Sequence, residues 1–316
     1  MNNLVSLGIS FNPVYTLRQQ FKNDGLIRGG VLDLKSAAET KQNMQFNGIA
    51  DIGEFLTKTT RNQQIQSTDW EVLVYNGRRL TWQTLFKPIL IDKEWEITQA
   101  ALNDPQSPLS QMLTARVKKT IYKTCLAAAI GPVLTGTPQS TGTSITAAAD
   151  GVIVVDGTGG WTRDLFQEIV ENLYAQQYHE SDIQKAFAFI SPSMNTAYLA
   201  LDSVMNRLYN TFNESAIMTR KLLDAINVEV VPGGSAEVNW TAGTEVLPVS
   251  GTTRSGVLLM QDALAAVVED MELFVSDNPV INGNYVDSRA LVARFRVGCM
   301  RKLGQRVMQL DETLPY

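Results

Sequence analysis

The chain has 316 residues, 44% of them hydrophobic, which is enough for a sizeable core and argues against disorder. Its net charge of −5 is spread along the sequence, so a general nucleic-acid role is disfavoured and only a local basic face remains open. Two cysteines outside any CxxC or Cys/His cluster argue against zinc and read as reduced core thiols, and no window approaches the roughly 18 apolar residues of a membrane span.

"MNNLVSLGISF" lacks the basic start and apolar stretch of a signal peptide. Residues 1–35 are polar, with one short helical pattern in "VYTLRQQF", and read as an arm rather than a core segment. Residues 36–82 are poor in large aliphatics. Within them "EVLVYNGRRLTW" (71–82) alternates as a strand would around Asn76-Gly77, a dipeptide that favours a type I′ hairpin turn. A second reading puts the turn in "TRNQQIQSTD" (60–69), giving one extended hairpin over 40–82. Such a hairpin has too few apolar residues to bury itself and must lie on something else.

The best-marked element follows. Ser107 suits an N-cap, Pro108 suits the first helical position, and Gly131-Pro132 is a stop. Between them the spacing predicts a helix of about 23 residues, roughly 34 Å long. Val117, Ile121, Cys125, Ala128 and Ala129 share one face. Arg116, Lys119 and Lys123 share another, which is either a solvated face or one turned toward a polyanion.

Residues 131–160 hold seven Gly and six Thr and read as loop or irregular β structure at a boundary. Helical patterns at 162–178 and about 193–208 flank a strand at 185–191, and "INVEVVPGG" (226–234) reads as another strand. Beyond it, "GVLLMQDALAAVVED" predicts two short strands about a turn. "SRALVARFRVGCMRKLGQRVMQL" predicts one long strand, with Leu291, Ala293, Phe295, Val297 and Cys299 on one side and Arg294, Arg296 and Lys302 on the other.

Motifs for chemistry are weak. His179, the single histidine, follows a helix end among polar residues and suits a surface loop. "VIVVDGTGGWTRDLF" (152–166) has the strand–turn–helix order of a nucleotide loop. Its sixth position is Thr162 rather than glycine, and no Lys-Ser or Lys-Thr follows, so a tight turn before a helix capped by Thr162 is the better reading. Glu269, Asp270 and Glu272 suit edge charges or intersubunit salt bridges better than an acid–base pair across a cleft. No catalytic, cofactor-binding or metal-ligating residues are expected.

Three blocks stand out together. The first is "QIQSTDWEVLVYNGRRLTWQTLFKPILIDKEWEITQAALNDPQSPLSQMLTARV" (64–117), with Arg78-Arg79, Ile91-Asp92 and Asp104-Pro105 followed by Ser107-Pro108. The second is "FAFISPSMNTAYL" (187–199), and the third is the tail "DMELFVSDNPVINGNYVDSRALVARFRVGCMRKLGQRVMQLD". In order and spacing these blocks resemble the major capsid proteins of tailed double-stranded DNA phages, the Hong Kong 97-type fold. The resemblance implies an α+β fold with an N-terminal arm (1–35), an extended β-hairpin or E-loop (36–82), a peripheral (P) domain (83–133) with a spine helix at about 108–130, an axial (A) domain (134–264) and returning P-domain strands (265–316). It implies a non-enzymatic coat protein that self-assembles into hexamers and pentamers of an icosahedral head in the host bacterial cytoplasm and becomes part of the virion. Separate scaffolding, portal and decoration proteins are the expected partners. Arg61, Trp70, Arg78 and Arg79 are expected at intersubunit E-loop contacts. Arg116, Lys119 and Lys123 are expected to touch packaged double-stranded DNA weakly and without sequence preference. An encapsulin-like nanocompartment shell shares the same fold expectation; a soluble α/β nucleotide-binding enzyme or a minor virion protein fits less well.

Overall fold

The computed structural model describes residues 5–11, 32–36, 45–49, 75–92, 108–135, 143–176, 178–201, 221–222, 226–231, 246–268, 271–277, 280–281, 284–285 and 288–314. In chain order the strands are β1 (Val5–Phe11), β2 (Leu32–Ser36), β3 (Gln45–Ile49), β4 (Tyr75–Arg79) and β5 (Thr81–Asp92). The long helix α1 (Pro108–Ile130) leads to β6 (Val133–Thr135), β7 (Thr143–Ile145) and β8 (Ile153–Asp156). Then come α2 (Arg163–Ala175), α3 (Glu180–Ile183), β9 (Phe187–Ile190), α4 (Pro192–Leu199), β10 (Lys221–Leu222) and β11 (Ile226–Val230). The remainder is strand: β12 (Val249–Ser250), β13 (Thr253–Leu259), β14 (Leu264–Val268), β15 (Met271–Asp277), β16 (Val280–Ile281), β17 (Asn284–Tyr285), β18 (Ser288–Arg301) and β19 (Val307–Thr313). Among the described residues no helix is long and apolar enough to cross a membrane.

The ends of α1 follow the sequence signals. Pro108 is its first residue and Gly131 lies just beyond its last. Gly131 N–H donates to the Ala127 carbonyl at 2.8 Å, and a Cβ at Gly131 would sit 2.7 Å from that same oxygen. Only glycine fits so close an approach. The apolar face is buried at Val117, Ile121, Cys125 and Ala129, and it widens to take in Tyr122 and Leu126.

Two large sheets carry the core. The six-stranded sheet runs β1-β15-β18-β14-β2, with β5 also paired to β18. β5 registers with β18 from Thr81 opposite Cys299 to Asp92 opposite Ser288, while β15 and β14 take successive parts of the same strand. A strand has two edges, so β15 and β14 share one and β5 occupies the other. The N-terminal segment, expected as a separate arm, supplies β1 and β2 to this sheet. The reason is nonlocal: β15 and β14 each offer an edge that a polar sequence can pair with through its backbone alone.

The seven-stranded sheet runs β10-β11-β9-β13-β19-β8, with β12 on β13. Helices α2 and α4 cover one face through Phe166, Ile169, Leu173, Met194 and Tyr198. On its other side Phe189, Val257, Leu259 and Val307 join a core that also holds the buried face of α1 and Ala293, Phe295 and Val297 of β18. The long helix therefore binds both sheets into one core.

The predicted strand over 288–310 is in fact two strands in different sheets. β18 ends at Arg301 in the six-stranded sheet, a 3-10 turn covers Gly304–Arg306, and β19 belongs to the seven-stranded sheet beside β13 and β8. The break has a physical cause: a Cβ at Gly304 would lie 1.8 Å from the Asp150 carbonyl oxygen, so the chain must turn where it meets residue 150. The two strands predicted in 256–270 are present as β13 and β14, with Asp262 at φ 58° in the turn. β13–β14 and β18–β19 thus cross together from one sheet to the other.

Candidate assembly site

A third, four-stranded sheet, β3-β4-β6-β7, sits beside the end of α1. β3 pairs antiparallel with β4, and β4 pairs with β6, which begins two residues after the Gly131 stop. Asn76 and Gly77 are strand residues opposite Gly48 and Asn47, not a turn. Local turn preference yields here to pairing with a strand some thirty positions earlier. The antiparallel pairing of β3 and β4 is what the longer hairpin over 40–82 requires. Its turn in 60–69, like Arg61 and Trp70, lies outside the described residues.

Arg78 was expected at a neighbouring subunit, but it is buried in its own chain. Adjacent strand positions face opposite sides, and Arg78 turns inward while Arg79 is half-buried on the other side. The Arg78 guanidinium donates to both carboxylate oxygens of Asp150, at 2.6 and 2.8 Å, and to the Arg301 carbonyl at 3.0 Å. Arg301, fully buried, donates to the same carboxylate through Nε at 2.6 Å. Its Nη1 reaches the Ala129 carbonyl and, at 3.0 Å, the Gly131 carbonyl. One carboxylate thus bridges two guanidiniums. One of those cations also satisfies the orphan carbonyls at the negative end of the long helix. Burial pulls the Arg301 pKa down, and Asp150 opposes that shift. This cluster fixes the root of the β3–β4 stem to the end of α1 and to the crossing between the two large sheets. Sequence reasoning missed it because its members lie 72 and 151 positions apart.

The basic face of α1 is present. Arg116 and Lys123 are exposed and Lys119 is half-buried. The three stand at i, i+3 and i+7 on α1, one side of the helix, and burial, then the charges of Arg116 and Lys123, lower the Lys119 pKa. On the opposite face of α1 Cys125 is buried in the same core as Cys299 of β18, and both thiols are free. The hydrogen bond with Cys125, then burial, raises the Cys299 pKa well above its ordinary value.

The glycine-rich turn at 157–160 is occupied by the chain's own groups. Gly157 N–H donates to the Asp311 carbonyl at 2.9 Å, and a Cβ there would meet the Trp161 ring at 2.6 Å. Thr158 donates to Asp156 through both backbone and hydroxyl, which holds that carboxyl below its usual range. Thr162 caps α2 by accepting from Leu165 N–H, with Asp164 in the first turn. These contacts turn the backbone N–H groups of Gly157, Thr158 and Gly160 to protein rather than to a phosphate. His179 is exposed just before α3. Glu272 stands opposite Arg294 in the register of β15 with β18, and β15 is an inner strand flanked by β1, not a sheet edge.

The fold has counterparts among solved structures. A chain of the procapsid of satellite phage P4, a structure that includes the size determination (Sid) protein, aligns over 99% of this chain and 94% of its own length, with a TM-score of 0.52 and 11% identity. This chain has the fold of a phage capsid protein. Chains from the acid-stable capsid of Helicobacter pylori bacteriophage KHP30 (TM-score 0.53, 8% identity, 90% and 88% covered) and the capsid of Ralstonia phage GP4 (0.52, 10% identity, 92% and 89% covered) align similarly. No protein-family model and no curated protein matches the sequence.

Proposed function

We propose that this chain is the major capsid protein of a tailed double-stranded DNA phage, a non-enzymatic subunit that self-assembles into the icosahedral head. The observation that carries the reading is the alignment of nearly the whole chain, at 99% coverage, with a phage procapsid chain. In this reading the six-stranded sheet and α1 form the peripheral unit with its spine. The seven-stranded sheet, including β19, forms the axial unit that meets its copies around five-fold and six-fold axes. The hairpin rooted at β3 and β4 reaches over a neighbour, which accounts for a segment with too few apolar residues to bury itself. Each subunit then offers several unlike surfaces, whose contacts are individually modest and collectively strong.

Assembly takes place in the host cytoplasm with separate scaffolding, portal and decoration proteins, and the product is the virion shell. Arg116, Lys119 and Lys123 face packaged DNA and touch phosphates without reading sequence. An overall charge of −5 keeps that contact weak, so the genome can leave. Electron microscopy of the purified full chain tests the reading. Closed shells or ring-shaped capsomers are expected, with nucleic acid rather than an enclosed enzyme as the content of particles recovered from infected cells. Particles filled with a protein cargo would point instead to a nanocompartment.

A further inference from the structure

The chain has two cysteines, and the fold brings them together. Cys125 on α1 and Cys299 on β18 are separated by more than half the sequence. Both point into one core, where they are 0% and 7% exposed. The Arg301 anchor sets how they face each other. Cys299 and Arg301 are two apart on a strand, so they share a side and are offset by about 6.6 Å. Cys125 and Ala129 are four apart on a helix, a rise of about 6 Å. Arg301 holds the Ala129 carbonyl, so these matched steps bring Cys125 over Cys299. Small neighbours let the two backbones approach. Ala129 is buried one turn beyond Cys125, and Ala266 of β14, also buried, stands opposite Cys299 in register. The two thiols share a hydrogen bond. None of the assembly surfaces described above uses either of them.

We infer that Cys125 and Cys299 are an oxidation site that closes to a disulfide within one copy and ties α1 to β18. The oxidant is a small peroxide, because the burial that hides the thiols shuts out a bulky disulfide such as oxidised glutathione. One sulfur, giving up its proton, attacks a peroxide oxygen. The O–O bond breaks, a sulfenic acid forms, and the released hydroxide takes the proton and leaves as water. The second sulfur then attacks the sulfenic sulfur. The S–S bond forms, the S–O bond breaks, and a second water leaves with the second thiol proton. Two thiols lose two electrons in all, and the peroxide gains them. A reducing cytosol keeps the pair as thiols, and an oxidising medium lets the bond persist. The crosslink closes a loop of more than half the chain, and long loops gain most from closure. The bond requires only the fold. The shell reading adds its timing, since a particle built in the cytosol and then released would fold with thiols and be locked afterwards.

The test treats the unassembled full chain with hydrogen peroxide in native buffer, blocks remaining thiols with N-ethylmaleimide in denaturant, and maps the peptides by mass spectrometry. Most chains should yield a linked pair of peptides carrying residues 125 and 299, lighter by two hydrogens and released by dithiothreitol. The urea midpoint of the oxidised chain should lie about 1 M above that of the reduced chain. Cys125→Ala should show neither the link nor the rise. Thiols that stay free at a peroxide dose that oxidises the urea-unfolded chain would overturn the inference. So would sulfinic or sulfonic acids, or dimers on a non-reducing gel, in place of the internal link. A link that leaves the midpoint unchanged or lower would overturn the tie between helix and sheet. All these readouts come from unassembled chain, so failure here leaves the shell reading standing, and failure to form shells leaves this inference standing.

Discussion

Replacing Asp150 with alanine is the sharpest test of how the hairpin stem is fixed. Its carboxylate accepts three short hydrogen bonds, two from Arg78 and one from Arg301, and the three side chains are at most 5% exposed. Removal leaves two guanidiniums facing each other out of water, and breaking a buried ion pair this way costs about 3–5 kcal/mol. Arg78→Met removes a different partner. It leaves Asp150 paired with Arg301, a balanced pair, and costs about 1.5–3 kcal/mol for the lost charged hydrogen bonds. Asp150→Ala should therefore be worse than Arg78→Met by about 2 kcal/mol, with the double variant less destabilised than the sum. Urea unfolding of the unassembled chain, followed by tryptophan fluorescence, reads this directly. At a slope of about 3 kcal/mol per M, Asp150→Ala should lower the midpoint by about 1 M or more. A smaller shift for Asp150→Ala than for Arg78→Met would refute the idea that the carboxylate holds two cations together.

Three further outcomes are expected. Changing Arg116, Lys119 and Lys123 to alanine should flatten the salt dependence of DNA binding by a slope of up to about 2.7, at about 0.9 per phosphate; an unchanged slope in filter binding would place the stripe away from DNA. The raised Cys299 pKa contributes stability in full below the unfolded thiol's value of about 8.5, and that contribution is lost as pH rises through the folded value. Native chain should resist a thiol reagent at neutral pH, its stability should decline above about pH 8.5, and Cys299→Ala should flatten that decline. Replacing residues 50–74 with a short Gly/Ser turn keeps β3, β4 and Arg78, so the chain should still fold by circular dichroism but should form no shells under the microscope.

The long helix was legible because its signals are local. Pro108 and Gly131 mark its ends, and the buried positions Val117, Ile121, Cys125 and Ala129 recur at helical spacing. The cap at Thr162 was legible for the same reason. Misreadings arose where distant chain decides local form. Asn76-Gly77 has turn chemistry, yet β3 on one side and β6 just beyond hold the segment extended. The run from Ser288 to Leu310 alternates throughout, and the approach of Gly304 to Asp150 breaks it into two strands. No sequence pattern links Arg78, Asp150 and Arg301, so an arginine expected on a contact surface proves to be an internal fastener.

The most direct measurement of the central claim is electron cryomicroscopy of particles formed by the full chain. The account predicts closed icosahedral shells in which this chain fills rings of five and six, with the hairpin rooted at β3 and β4 extending over an adjacent copy. A chain that stays a discrete monomer or dimer, alone and with the scaffolding protein supplied, would contradict it.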